Sequence, residues 1–167
     1  MIVNGTKLLE AAPIVGMYDK KMRGKVTTFG LGEIGYDIRI KQEIRFKRLF
    51  GLIPLHKVDG GRWKLGNFAL ASAMGAFNMP EWMGAIVHDK STWARQGLSV
   101  FNTVIEPGWK GFLTLELVYH GRETLVIPAG SGIAQVLFHS LYEDAAYSGR
   151  YQNQEDKPVP AKKAGDH

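Results

Sequence analysis

Between Asp89 and Glu116 the sequence DKSTWARQGLSVFNTVIEPGWKGFLTLE carries a cationic Ser/Thr turn, a Pro-Gly turn beside an acid, and a second acid on an alternating segment. Lys90, Ser91, Thr92 and Arg95 form a compact donor cluster. At a helix start, free backbone N–H groups and hydroxyls can coordinate phosphate oxygens while Lys90 and Arg95 supply charge. The same residues can also be no more than a capped turn. No G-x-x-x-x-G-K precedes them, so this is not a Walker A loop. Glu106, ahead of Pro107-Gly108, is either a turn residue or an acceptor for a sugar hydroxyl. Glu116 is suited to proton transfer, because a carboxylate on a strand is fixed in place by backbone pairing. Its neighbours on the same face, Thr114 and Val118, are uncharged, unlike a fully solvated face. Donors for anionic oxygens at one end and a carboxylate at the other suit a phosphorylated small molecule.

The elements that must position these groups are legible as periodicities. Phe112–Tyr119 alternates, with Leu113, Leu115, Leu117 and Tyr119 facing one way and Thr114, Glu116 and Val118 the other, which predicts a half-buried strand. Ser91–Gln96 fits one or two helical turns, with Ser91 or Thr92 as N-cap and Gly97 as a left-handed stop. Leu98–Val104 then returns to extended structure. The cleanest alternation runs from Tyr36 to Phe46, interrupted on its apolar face only by Gln42, and predicts a single strand. Residues 48–67 predict a loop or irregular hairpin. Phe68–Ser72, Gly84–Val87, Leu125–Ile127 and Ile133–Leu141 predict further strands, and Thr6–Glu10 a short helix before the Pro13/Gly16 break. The expectation is an all-β domain over residues 1–147, barrel-like or jelly-roll, with few helices. The polar tail, 148–167, is either disordered or an arm that orders on ligand.

Composition bounds the partners. A chain of 167 residues, 45% apolar and 22% charged, can bury one sizeable core, and its 20 glycines favour short strands joined by turns. No run of about 18 apolar residues is present, so no membrane span is expected. The amino terminus lacks the pattern of a signal peptide, which makes the cytoplasm the expected compartment. There is no cysteine, which excludes disulfides, a thiol nucleophile and thiolate-held zinc. The five histidines have no metal-ligand spacing. A net charge of +5 is either a solvated basic surface or an attraction for a polyanion. No nucleic-acid-binding motif is visible, so a nucleotide is expected before a nucleic acid.

In order along the chain, GYDIRI, FALA, DKSTWARQGL, IEPGWKGFLTLEL, GIAQVLF and GRYQNQ resemble the dCTP deaminase branch of the dUTPase-like superfamily, from about Thr28 to Gln154. The resemblance implies a distorted jelly roll and the hydrolytic deamination of dCTP to dUTP and ammonia. It implies that Lys90, Ser91, Thr92 and Arg95 hold the triphosphate. Thr114, Leu115 and Glu116 would line the base pocket, with Glu116 as acid and base and Arg95 helping to hold the attacking water. Gln135 would sit near base or sugar, while Arg150, Tyr151 and Gln154 close over phosphates. Tyr147 matches a family tyrosine at shorter spacing. The family is a homotrimer with sites between subunits, uses magnesium with the triphosphate and no zinc, and often responds to dTTP as a feedback ligand.

Two departures stand out. Asp89 replaces the family's usual glycine beside the phosphate turn, and the amino-terminal region is short. Two rival readings follow from the same residues. One is a dUTP pyrophosphatase, or a bifunctional enzyme, in which Glu106 activates water. The other is a non-catalytic nucleotide-binding regulatory relative, which Asp89 keeps open.

Overall fold

The computed structural model describes residues 1–163, which fold into short strands and two short helices. The chain opens with β1 (Ile2–Val3), α1 (Gly5–Ala11), β2 (Lys21–Arg23), β3 (Thr28–Leu31) and β4 (Tyr36–Arg39). Next come β5 (Ile44–Leu49), β6 (Ile53–Val58), β7 (Lys64–Leu65), β8 (Phe68–Ser72), β9 (Phe77–Asn78) and β10 (Met83–Asp89). After α2 (Ser91–Ala94) follow β11 (Leu98–Val100), β12 (Val104–Ile105), β13 (Lys110–Gly111), β14 (Thr114–Tyr119), β15 (Leu125–Ile127) and β16 (Gly132–Ser140). This is the all-β, jelly-roll-like arrangement that the alternating segments predict. No helix among the described residues is long and apolar enough to cross a membrane.

The largest sheet has the order β12-β10-β16-β4-β3-β2, with β1 also on β16. A three-stranded sheet, β11-β14-β8, a four-stranded sheet, β15-β5-β6-β7, and the pair β13-β9 complete the fold. The paired strands are antiparallel, and their apolar faces meet in one core that includes Ile38, Phe46, Leu115, Leu117, Val136 and Phe138.

The alternation from Tyr36 to Phe46 folds as two strands, not one. β4 belongs to the large sheet and β5 to the four-stranded sheet, and the chain crosses between them at Ile40–Glu43. Gln42, the one polar residue on the apolar face, makes this crossing possible. It is buried. Its Oε1 accepts from the Ser72 N–H at 2.7 Å, and its Nε2 donates to Ser72 Oγ at 2.9 Å. A buried amide that satisfies backbone left free by the end of a ladder is worth its desolvation. The period of two survives because both strands present the same face to one core.

In place of the loop or irregular hairpin expected over residues 48–67, β5 and β6 form a regular hairpin, in register from Ile44↔Val58 to Leu49↔Ile53, and β7 pairs with β6. Phe50 and Gly51 at its tip both have positive φ, 53° and 72°, as a tight hairpin turn requires. Leu98–Val104 splits into β11 and β12, which join different sheets. Gly97 ends the helical segment with φ 85°, as expected. The N-cap is Lys90 rather than Ser91 or Thr92, and no side chain caps α2.

Candidate active site

β14 is the centre strand of its sheet, paired to β11 through Val100↔Leu117 and to β8 through Glu116↔Leu70. Phe101 N–H also donates to the Glu116 carbonyl at 3.0 Å. With Leu113, Leu115, Leu117 and Tyr119 buried in the core, Thr114, Glu116 and Val118 lie on the other face. Thr114 and Glu116 there border a cavity of about 590 Å³, which also takes Phe68, Leu70, Val104, Glu106 and Trp109 into its wall. Tyr147 and the tail residues Tyr151, Gln154, Val159, Pro160 and Ala161 form a further part of the wall.

Glu116 is half-buried. Burial among these apolar walls pushes its pKa above the ordinary glutamate range, against a smaller opposing hydrogen bond from its own backbone. No cation contributes to holding it ionised. A carboxylate in this state holds a proton more readily than a solvated one, which suits proton transfer. Glu106 is a turn residue that also borders the cavity. Its carbonyl accepts from Trp109 N–H at 3.2 Å across the Pro107-Gly108 turn, and its exposed side chain borders the cavity.

The tail from Ser148 to the last described residue is strapped across residues 108–114. Trp109 Nε1 donates to the Tyr151 carbonyl at 2.7 Å. Lys110 N–H donates to Gln152 Oε1 at 2.7 Å, and Gln152 Nε2 to the Gly108 carbonyl at 2.9 Å. Phe112 N–H donates to the Gln154 carbonyl at 3.0 Å. Thr114 Oγ1 receives two further donors, Gln154 Nε2 and, at 3.0 Å, Val159 N–H. A Cβ at Gly111, where φ is 136°, would lie 2.5 Å from Gln154 N, so the strap fits only against glycine. Arg150 is exposed and donates to the Lys162 carbonyl at 3.1 Å. The tail's last four residues, 164–167, lie outside the described residues.

The cavity thus brings together Glu116, Glu106, Thr114, Tyr147, Tyr151 and Gln154 of the residues the sequence singles out. Others sit elsewhere in this chain. Leu115 has its side chain in the core, which leaves only its backbone for a ligand. Ser91, Thr92 and Arg95 are exposed on and just after α2 and do not border the cavity. Lys90 is ion-paired with Asp37, whose side chain is 3% exposed. Gln135 Nε2 reaches the other oxygen of Asp37 at 3.4 Å. Asp89 accepts Val100 N–H at 2.6 Å, so its carboxylate is engaged in joining β10 to β11.

Sequence reasoning missed Asp37, although it lies inside GYDIRI. The available signal was an acid on a strand flanked by Tyr36 and Ile38, both buried, where a charge needs a partner. It also missed Trp109 and the Val159-Pro160 pair, an apolar spot in an otherwise polar tail. Among the described residues no group of three or more His, Asp or Glu stands ready to hold a metal ion.

Comparison with known proteins gives these features a context. The dCTP deaminase-like family matches residues 17–141. The chain is 34% identical, over 175 aligned positions, to a dCTP deaminase of Protochlamydia amoebophila, covering 92% of this chain and 93% of that one. It is 35% identical to a dCTP deaminase of Herpetosiphon aurantiacus, covering 85% and 86%. Among solved structures, native EIAV dUTPase resembles it with a TM-score of 0.52 at 15% identity, over 83% of this chain and 92% of that one. The 2'-deoxycytidine 5'-triphosphate deaminase of Agrobacterium tumefaciens matches with a TM-score of 0.52 at 14% identity, over 83% of this chain and 47% of the other. Those two likenesses concern the fold, which is dUTPase-like. With a family match that spans most of the described β structure and relatives alike over nearly their whole lengths, this chain belongs to the dCTP deaminase-like family.

Proposed function

We propose that this protein hydrolyses dCTP to dUTP and ammonia in the cavity bordered by Glu116. The observation that carries the reading is a half-buried carboxylate on a centre strand, its pKa raised by desolvation and no cation holding it down. In this reading Glu116 takes a proton from a water as its oxygen adds to C4 of the cytosine ring, and passes that proton to N3. Glu116 then takes the proton of the new C4 hydroxyl and gives it to the exocyclic amine as the C4–N bond breaks, leaving the C4 carbonyl of dUTP and free ammonia. Family relatives named dCTP deaminase support this substrate.

Thr114 and the backbone of Leu115 would contact the base, with Tyr147, Tyr151 and Gln154 closing the mouth. Residues 148–163 act as an arm over the domain formed by 1–147, with Arg150 turned to the phosphates once ligand is bound. Lys90, Ser91, Thr92 and Arg95 would serve the triphosphate and the attacking water of a neighbouring copy in a homotrimer. Their distance from this chain's own cavity wall supports a shared site, and Gln135 would approach base or sugar from the same side. Magnesium would arrive on the triphosphate oxygens. A structural Mg(II) ion is described for the dUTPase of a staphylococcal phage with the same fold. A cytoplasmic location and sensitivity to dTTP complete the proposal.

A second reading, dUTP pyrophosphatase activity, is favoured by one observation: Glu106 borders the same cavity. Incubation with dCTP and separation of products decides between them. Ammonia with dUTP supports deamination; dUMP with pyrophosphate adds the second activity. In Glu116→Gln, ammonia release should fall by about 10²–10⁴ while dCTP still binds. Turnover near that of the parent protein removes Glu116 from the mechanism. Binding of dCTP by the parent without any ammonia would leave a regulatory relative.

A further inference from the structure

The β5–β7 sheet concentrates nearly all of the chain's charge imbalance. Of its 21 Lys and Arg, six lie within residues 44–65: Arg45, Lys47, Arg48, Lys57, Arg62 and Lys64. Of its 16 acids only Asp59 does, so fifteen of each sign remain elsewhere and cancel. Counting Glu43, which pairs with Arg45 at 2.6 Å, this one hairpin and its short third strand still carry +4 of the chain's net +5.

The hairpin also ends in an unusual tip. Ile44, Phe46 and His56 are buried against the core, so Arg45, Lys47, Leu55 and Lys57, which alternate with them, point outward. The tip carries Leu49, Phe50, Leu52 and Ile53. Phe50 is 87% exposed and Leu52 77%. Leu65, opposite Leu55 in the register, is 77% exposed. Four apolar side chains at a turn of a soluble fold leave an exposed patch, and such patches mark interaction sites.

We infer that this hairpin docks on an anionic lipid surface, its Leu49–Ile53 tip entering the headgroup boundary while the flanking cations meet lipid charge. The observations favour a bilayer over other occupants. An isologous contact, hairpin on hairpin, would bring two basic faces together, which like-charge repulsion opposes. Single-stranded nucleic acid needs open aromatic faces for base stacking. Phe50 is the one open ring here, since Lys47 Nζ lies 4.1 Å and Lys57 Nζ 5.1 Å from the Trp63 ring centroid, and a run of stacked bases needs several. Three of the four tip residues are aliphatic, which suits acyl chains and not bases. Apolar insertion backed by basic residues is the pattern of peripheral membrane binding. The sequence leads to the expectation of no membrane span, and a peripheral surface needs none. The face lies away from the cavity, whose wall contains no residue of 44–65.

The test is sedimentation of the full chain with vesicles containing phosphatidylglycerol, against vesicles of phosphatidylcholine alone. Binding should be at least about ten-fold stronger to the anionic vesicles and should fade at about 0.5 M salt. Phe50→Asn with Leu52→Gln removes the apolar tip, and asparagine tolerates the positive φ. That variant should bind about ten-fold less, with unchanged melting temperature and ammonia release. Arg62→Glu with Lys64→Glu should lose binding similarly. Absence of anionic-vesicle binding overturns the inference. So does undiminished binding by the tip variant, tighter binding of a single-stranded oligonucleotide, or a tip variant whose oligomeric state changes in ultracentrifugation.

Discussion

The side-chain amide of Gln154 donates to the hydroxyl of Thr114, two residues ahead of Glu116 on the same strand. Val159 N–H reaches the same hydroxyl at 3.0 Å. One side chain on the rigid centre strand thus holds the tail at two points, and the cavity wall depends on that hold. Thr114→Val keeps the shape and removes the acceptor, leaving two donors without their partner. Each such bond contributes about 1 kcal/mol, so opening of the tail should become roughly five- to thirty-fold more frequent. Limited proteolysis within 155–163 should speed up accordingly, and KM for dCTP should rise more than kcat falls. Equal cleavage rates in the two proteins would show that the strap is held by its contacts to residues 108–112 without Thr114.

Glu116 links the chemistry to stability. Its pKa in the folded protein lies above that of the unfolded chain, because burial disfavours the charged form. The stability this group contributes is therefore full below the unfolded pKa and is lost as pH rises through the folded value. At neutral pH the ionised side chain is a cost of keeping the site. Glu116→Gln should melt at a higher temperature than the parent at about pH 7–8, and the gap should close towards about pH 4, where the parent's side chain is neutral. Thermal melts across pH check this. A variant that melts lower than the parent throughout would mean that the carboxylate makes stabilising contacts the geometry does not contain.

Much of this was legible from the sequence, for physical reasons that differ by element. Phe112–Tyr119 could be read because its leucines are buried on one side and its backbone is paired on both, so period and structure agree. The left-handed stop at Gly97 followed from the residue's own freedom. The break at Gln42 was not legible, since alternation reports which face is buried and not which sheet a strand joins. Nor could local sequence reveal that Lys90 pairs with Asp37, 53 residues away. The phosphate-turn residues were recognisable as a set, yet their separation from the cavity is a property of the fold alone.

The Gln42 clip has a measurable worth. Gln42→Leu fills the space with an apolar side chain but leaves Ser72 N–H and Oγ without their partners in a buried position. Unsatisfied buried groups of this kind cost about 1–3 kcal/mol, which lowers the melting temperature by several degrees in a protein of this size. Ser72→Ala removes only the hydroxyl and keeps the 2.7 Å backbone bond, so its loss should be smaller. Should the order be reversed in thermal denaturation, the hydroxyl and not the backbone N–H is what the amide stabilises.

The Lys90–Asp37 pair is the last test, because it separates structure from ligand binding at the edge of α2. Both side chains are largely shielded, 12% and 3% exposed, and Gln135 supports the carboxylate. Removing one partner of a buried pair leaves a stranded charge and costs about 3–5 kcal/mol, whereas replacing both is far milder. Asp37→Asn and Lys90→Met should each destabilise strongly, and the double variant should recover most of the loss in chemical denaturation. Triphosphate binding should respond differently. If Lys90 also meets the nucleotide of a neighbouring copy, the double variant stays folded but binds dCTP at least about ten-fold more weakly, since a charge-assisted contact contributes about 1.5–3 kcal/mol. Unchanged dCTP affinity in the stable double variant would assign Lys90 to the fold and leave the triphosphate to Ser91, Thr92 and Arg95.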